Sequence, residues 1–271
     1  MNWRIPLFLL FTVAPWLLSS PPSILPQDEL WKRIDDGLFL SEFTSKKISL
    51  IKIDPKYYSF KLLCASEKNR VRMTARQWCQ KYNLISAINA GMFQADGITN
   101  VGYMKNFNHI NSPRLNTRYK AVLAFNPVDA TVPEIQIIDL KCHDFERLKD
   151  KYQTLIQGIR MTSCHQENVW EKQDKRWNIA AFGIDKSGNG LFMFTESRYS
   201  VHDFINILLS LRVSLYNAMY LEGGPEATLY FSATGVEFEK IGSHETDLNE
   251  SGFPRMARPL PNVIGIVKKF R

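Results

Sequence analysis

From residue 37 onward the chain is a succession of short apolar runs rich in Val, Ile, Leu, Phe and Tyr, each closed by glycine, proline, asparagine, aspartate or serine. Such runs between turn formers are strand signals. They fall at 37–43, 47–54, 57–65, 84–93, 120–127, 133–140, 155–161, 177–185, 190–197, 217–224, 227–232, 236–241 and 262–269. Two stretches have helical spacing instead. TARQWCQKYN (74–83) opens on Thr74 as N-cap, and SVHDFINILLSL (200–211) carries Phe204, Ile207, Leu208 and Leu211 with Ser200 and Asp203 at capping-box spacing. A short helix is expected near 143–155. KSGN (186–189) marks a hairpin between 177–185 and 190–197. Strands outnumber helices about three to one and do not alternate strictly with them, which predicts an α+β fold: a large mixed β-sheet core, helices packed around it, a single domain. The stretch 94–118 is polar, rich in Asn, Gly and Pro, and reads as a long excursion, a feature that is uncommon unless functional.

The 271 residues, 45% of them hydrophobic, suffice for one large core. The net charge is +7, but Lys and Arg are scattered, with only Arg4 in the first 27 residues. That argues against a nucleic-acid partner and is compatible with an anionic substrate or an anionic envelope surface. The N-terminus reads MNWR, then the 14-residue apolar run IPLFLLFTVAPWLL, then SSPPSILPQ. The run is shorter than the ~20 residues of a spanning helix and fits a secretory signal peptide. The expected division is a signal segment over 1–20, a linker over 21–36 and one domain over 37–271, with the protein exported to the periplasm or beyond. Leu17 and Leu18 beside Ser19-Ser20 make a poor cleavage site, so an uncleaved anchor with membrane association is the alternative.

The four cysteines, Cys64, Cys79, Cys142 and Cys164, allow two disulfides in three connectivities. Cys142-His143 and Cys164-His165 suggest zinc, but adjacent Cys-His pairs converge on one metal with difficulty and no CxxC is present. SHETD (243–247) clusters His244, Glu245 and Asp247 without a recognised ligand spacing. No metal site is assigned and no cofactor is expected, although a phosphate site can recruit a divalent cation.

Three strand ends share one design, an apolar run meeting a polar residue and a glycine: INAG (88–91), IQGIR (156–160) and YLEGG (220–224). Glycine there lets a ligand approach the backbone. Together they describe one rim offering Asn89, Arg160 and Glu222. Arg198 precedes the helix that starts after Ser200, and free N–H groups at a helix start suit an anion.

NAGMF (89–93), Gly102, QGIRM (157–161), FGIDKSGNGLFMF (182–194), YSVHDF (199–204), AMYLEGGPEATLYF (218–231) and PNVIGIV (261–267) occur in an order that resembles the phosphodiester glycosidase domain family. The resemblance covers roughly 37–268, and INAGMF and YLEGGPEA are its most specific pieces. Many relatives have Asp at the position of Glu222 and an Arg near Trp177-Asn178-Ile179, and the 94–118 excursion does not match. The resemblance implies a mixed sheet with the site at one rim, and removal of a sugar from a phosphodiester. Expelling a phosphate monoester needs cations for the phosphate and a carboxylate at the anomeric carbon. On that basis Glu222 is the nucleophile or general base, Asn89 holds a sugar hydroxyl or orients the carboxylate, and Arg160 and Arg198 clamp the phosphate. The N–H groups of Gly91, Gly223 and Gly224 assist, with Ser200 and His202 beside the substrate. Asp96, Asp185 and Asp203 are candidates for a second carboxylate. The implied substrate is a sugar-1-phosphodiester in an envelope glycan, glycolipid or polymer. Two alternatives are a non-catalytic glycan-binding protein of polysaccharide biosynthesis or export, and a phosphodiesterase that cuts the P–O bond.

Overall fold

The computed structural model describes residues 30–243 and 256–270, together with Met1. In chain order the strands are β1 (Lys32–Asp35), β2 (Leu38–Phe43), β3 (Ile48–Ile53), β4 (Tyr58–Cys64), β5 (Ser86–Asn89), β6 (Met104–Asn106), β7 (His109–Ser112) and β8 (Ala121–Pro127). They continue as β9 (Ile135–Asp139), β10 (Tyr152–Arg160), β11 (Ile179–Asp185), β12 (Gly190–Thr195), β13 (Leu215–Gly223), β14 (Thr228–Ala233), β15 (Val236–Ile241) and β16 (Asn262–Lys268). The helices are α1 (Ala75–Tyr82), α2 (Phe145–Leu148) and α3 (Val201–Ser210).

The fold is α+β and dominated by sheet. An eleven-stranded sheet runs β1-β2-β3-β12-β11-β13-β10-β6-β7, with β8 pairing β10 and β9 pairing β8. A five-stranded sheet runs β15-β14-β5-β16-β4. The pairing refines the expected mixed sheet, because the named pairs are antiparallel, as between β11 and β13 or β16 and β4.

The apolar runs are continuous rather than alternating because both faces of the central strands are covered. Phe182, Phe192 and Phe194 point between the sheets and meet Phe60, Ile264 and Ile266 of the smaller one. Phe60 and Phe182 are edge to face at 5.9 Å. Each fully buried side chain of this kind contributes about 1.5–3 kcal/mol. On the outer face, Ile179, Ala181, Leu191 and Met193 are covered by Val201, Phe204, Ile205 and Leu208 of α3. The outer face of the smaller sheet is covered by Trp78 and Cys79 of α1. Thr74 caps α1 in a complete capping box with Gln77.

Three features depart from the sequence reading. The expected linker 21–36 ends in β1, which pairs with β2, so the folded domain begins before residue 37. The excursion contains the β6–β7 hairpin, which has too little apolar character to register as strands. Of the four cysteines, Cys142 and Cys164 form a disulfide, while Cys64 and Cys79 are buried free thiols. Burial pushes both thiols well above the usual range. The signal segment over 1–20 lies outside the described residues apart from Met1. Among the described residues no helix is long and apolar enough to cross a membrane.

Candidate functional site

The site is built around the end of β13. Ala181 pairs with Tyr220 but Ala180 pairs with Glu222, so Leu221 is an extra residue on one strand. Such a bulge re-aims the side chain that follows it. Glu222 is only 9% exposed. Its carboxyl has one protein hydrogen bond, from the Gly223 N–H at 2.9 Å, and no cation among the described residues pairs with it. Burial pushes it up to about 8, the Gly223 bond opposes the rise, and the Glu226 charge adds to it. Two phenols feel the same carboxylate. Tyr119 and Tyr220 are raised first by burial and then by the Glu222 charge.

The turn after Glu222 has no latitude for side chains. A Cβ on Gly223 would lie 2.0 Å from the Tyr220 hydroxyl and 2.4 Å from the Trp177 ring, and Gly224 adopts φ +67°. Two buried asparagines hold this turn. Asn89, at the end of β5, donates to the Glu226 carbonyl at 2.9 Å and accepts from the Thr228 N–H at 2.8 Å. It is therefore a positioning residue for the Glu222–Glu226 turn rather than a group extended toward a sugar. Asn178 accepts the Gly224 N–H on its carbonyl and the Ser243 N–H on its side chain. Arg198 contacts the Ser243 hydroxyl at 3.4 Å, which puts it on this flank of the turn.

The opposite wall is the polar excursion, attached by Gln157 of β10. Gln157 Oε1 accepts from the Tyr103 and Asn116 N–H groups, and Nε2 donates to the Asn116 and Tyr119 carbonyls. Asn100 is fully buried beneath it, with Oδ1 2.7 Å from where a Gly91 Cβ would stand. Gly91, at φ +127°, is therefore required both by its backbone and by this neighbour.

Arg160, at the end of β10, pairs with Met219, three residues before Glu222 on the antiparallel β13, so it lies below the rim and not on it. Its Nη1 donates to both oxygens of Asp139 at 3.0 and 2.9 Å. The Cys142–Cys164 disulfide ties the loop after Asp139 to the segment after Arg160. Arg160 also lines an open cleft of about 460 Å³, together with Arg118, Lys120, Trp170 and Lys172. The Trp170 ring is 5.8 Å from that of Tyr220, and its Nε1 donates to the Arg160 carbonyl at 2.7 Å.

The remaining expected residues divide clearly. Ser200 Oγ accepts from the Asp203 N–H at 3.0 Å and is the cap of α3. His202 is held at the start of α3, where its carbonyl takes the Asn168 amide and its ring faces Asn206. The second-carboxylate candidates are each held by local partners. Asp96 takes hydrogen bonds from Thr99 and Ile98, which hold it down at about 2. Asp185 caps the β11–β12 turn through Ser187 and Asn189, at the far end of the strand that begins beside Gly223. Asp203 is lowered by Ser200, His202 and Arg176. The acid that shares the turn with Glu222 is Glu226, paired to Arg258. His244, Glu245 and Asp247 lie outside the described residues. The Asp139, Cys142 and Cys164 grouping offers no thiolate to a metal, because both sulfurs are in the disulfide.

Sequence reasoning missed Tyr119, Gln157, Trp170 and Tyr220. Gln157 had a signal, a lone polar residue inside the apolar run LIQGIRM. Tyr119 had none, since it reaches the site only through the fold.

The fold and rim define the class: a two-sheet α+β domain in which a glycine-rich strand end presents a buried acid near a cationic cleft. The family model for phosphodiester glycosidase matches residues 82–267, and the chain belongs to that family. No curated protein matches the chain. Among solved structures it is similar to the catalytic domain of zebrafish N-acetylglucosamine-1-phosphodiester alpha-N-acetylglucosaminidase, auto-inhibited by its pro-peptide. The TM-score is 0.57 at 14% identity, over 86% of this chain and 82% of that one. A hypothetical protein from Synechocystis gives 0.59 at 12% identity, over 88% of this chain and 61% of that one. A putative exported protein from Burkholderia pseudomallei gives 0.53 at 9% identity, over 85% and 74%. At these identities the likeness is one of fold.

Proposed function

We propose that the rim hydrolyses a sugar-1-phosphodiester at the C–O bond beside the phosphate, in an exported enzyme acting on an envelope glycan, glycolipid or polymer. Membership of the family supports the reaction class, and the N-terminal pattern supports export. The observation that carries the reading is Glu222, a buried carboxyl with no cationic partner among the described residues, at a glycine turn near a cationic cleft.

A carboxyl raised to about 8 keeps most of its proton at neutral pH. It therefore meets an anionic phosphodiester without charge repulsion and acts as general acid, the role burial favours over nucleophile or base. Glu222 protonates the departing phosphate oxygen as the C–O bond breaks. Water attacks the anomeric carbon and its proton restores the carboxyl, giving free sugar and a phosphate monoester. Asn89 and Asn178 fix the turn that carries Glu222, while Arg198 is the cation on the flank of that turn.

The test is hydrolysis of a panel of sugar-1-phosphodiesters in ¹⁸O water by wild type and Glu222→Gln. The expected result is label in the sugar and a loss of about 10³-fold in turnover in the variant. Label in the phosphate would make the protein a P–O phosphodiesterase. Equal rates would remove Glu222 from the mechanism. Binding without turnover across the panel would favour a non-catalytic glycan-binding protein.

A further inference from the structure

We infer that the cleft beside Glu222 binds the leaving group, and that this leaving group carries a second phosphate beyond the one joined to the sugar. The inference rests on the hydrolase reading for its orientation and on the cleft itself for its charge. One ring contact and one electrostatic coupling tie the cleft to the rim. The Trp170 ring is tilted against that of Tyr220 at 5.8 Å, and Tyr220 is followed along β13 by the Leu221 bulge that aims Glu222. Arg118 and Lys120 flank Tyr119, whose phenol feels the Glu222 charge.

Arg160 is neutralised by Asp139. Arg118, Lys120 and Lys172 have no ion pair among the described residues. Glu171 is the one acid of the lining, so these three cations less that carboxylate leave two positive charges. The Gln173 amide nitrogen, also in the lining, is buried with no hydrogen-bond partner, a donor that suits an oxyanion. A single phosphodiester brings one negative charge. Two positive charges and a spare donor, spread over about 460 Å³, fit two phosphates. The second can be adjacent, as in a pyrophosphate, or one sugar away, as in a repeating phosphodiester.

The experiment compares kcat/KM for a sugar 1-(methyl phosphate), the same sugar's uridine diphosphate ester and a two-unit glycosyl phosphate. At least one two-phosphate substrate should exceed the methyl ester about tenfold at low salt, and the ratio should fall toward one at high salt. Whichever substrate gains identifies the spacing. Lys172→Glu should lower the ratio about tenfold, whereas Lys61→Glu, the same charge change at the exposed position of β4, should not alter it. Calorimetric titration of Glu222→Gln protein with inorganic pyrophosphate supplies a readout without turnover, and adding Lys172→Glu should weaken that binding about tenfold. Turnover with a ratio near one, or pyrophosphate binding indifferent to Lys172, overturns the subsite and leaves the hydrolase reading standing. Lys172-dependent pyrophosphate binding with no turnover of any substrate keeps the subsite and overturns the hydrolase reading.

Discussion

Two ionisable groups on the antiparallel pair β10 and β13 are treated in opposite ways. Arg160 closes β10 with both oxygens of a buried Asp139 on one guanidinium nitrogen, and a disulfide ties the two segments together. Glu222, near the end of the adjacent β13, has a single backbone N–H and no cation among the described residues. The first corner satisfies its charge and is a structural joint. The second leaves its charge uncompensated, which costs stability and keeps the proton where chemistry can use it. The contrast teaches that the residue to watch at a candidate site is the one whose partner is missing.

The largest effect should come from removing the uncompensated group. Glu222 has a folded-state value of about 8 against an ordinary value of 4.5, so the folded protein holds this proton more tightly than the unfolded chain. The resulting penalty is absent below about pH 4, grows as pH rises between the two values, and is complete above about pH 8. Glu222→Gln should therefore be more stable than wild type by on the order of 4 kcal/mol at pH 9, with no difference at pH 4. Denaturant melts at the two pH values check this, and an equal difference at both would show that burial does not set the proton.

Next in size is the opposite corner. Asp139→Asn leaves Arg160 part-buried without its counter-charge and should cost about 3 kcal/mol at neutral pH. The loss should be accompanied by a mobile Arg160 side chain in NMR spectra. A variant as stable as wild type would mean that solvent already compensates the guanidinium. The smallest of the three concerns the staple. Replacing Cys142 and Cys164 by Ala opens a loop with a sequence separation of 22 and should cost about 2–3 kcal/mol. Urea melts of the oxidised protein and the double variant measure it, and the two losses should be non-additive, since both loosen the same joint.

Much of the scaffold was legible because the physics that shapes it is local. Strands covered on both faces must be continuous apolar runs, and β11, β12 and β16 read that way. Thr74 and Ser200 announced α1 and α3 because a cap needs a short side-chain acceptor at one fixed place. β1 was missed because KRID is a charged edge strand, and β6 and β7 because side-chain amides rather than apolar burial hold them. The glycines at strand ends pointed to Glu222, since a close-packed turn can tolerate nothing else. The Asp139 partner of Arg160 was invisible, because the two residues meet only through the β8–β9–β10 pairing. The bulge at Leu221 leaves no trace in composition, and no local pattern could place Tyr119 against the acid.

Gln157 has a consequence of a different kind. One side-chain amide makes four bonds, one to Tyr103 and three to Asn116 and Tyr119 in the segment that carries Arg118, Tyr119 and Lys120. The sheet below is held by apolar burial and owes nothing to the residues of that segment's outer surface. Side chains on that outer surface can therefore change while the Gln157 anchor is kept. The domain can change the molecules it discriminates among without renegotiating its fold.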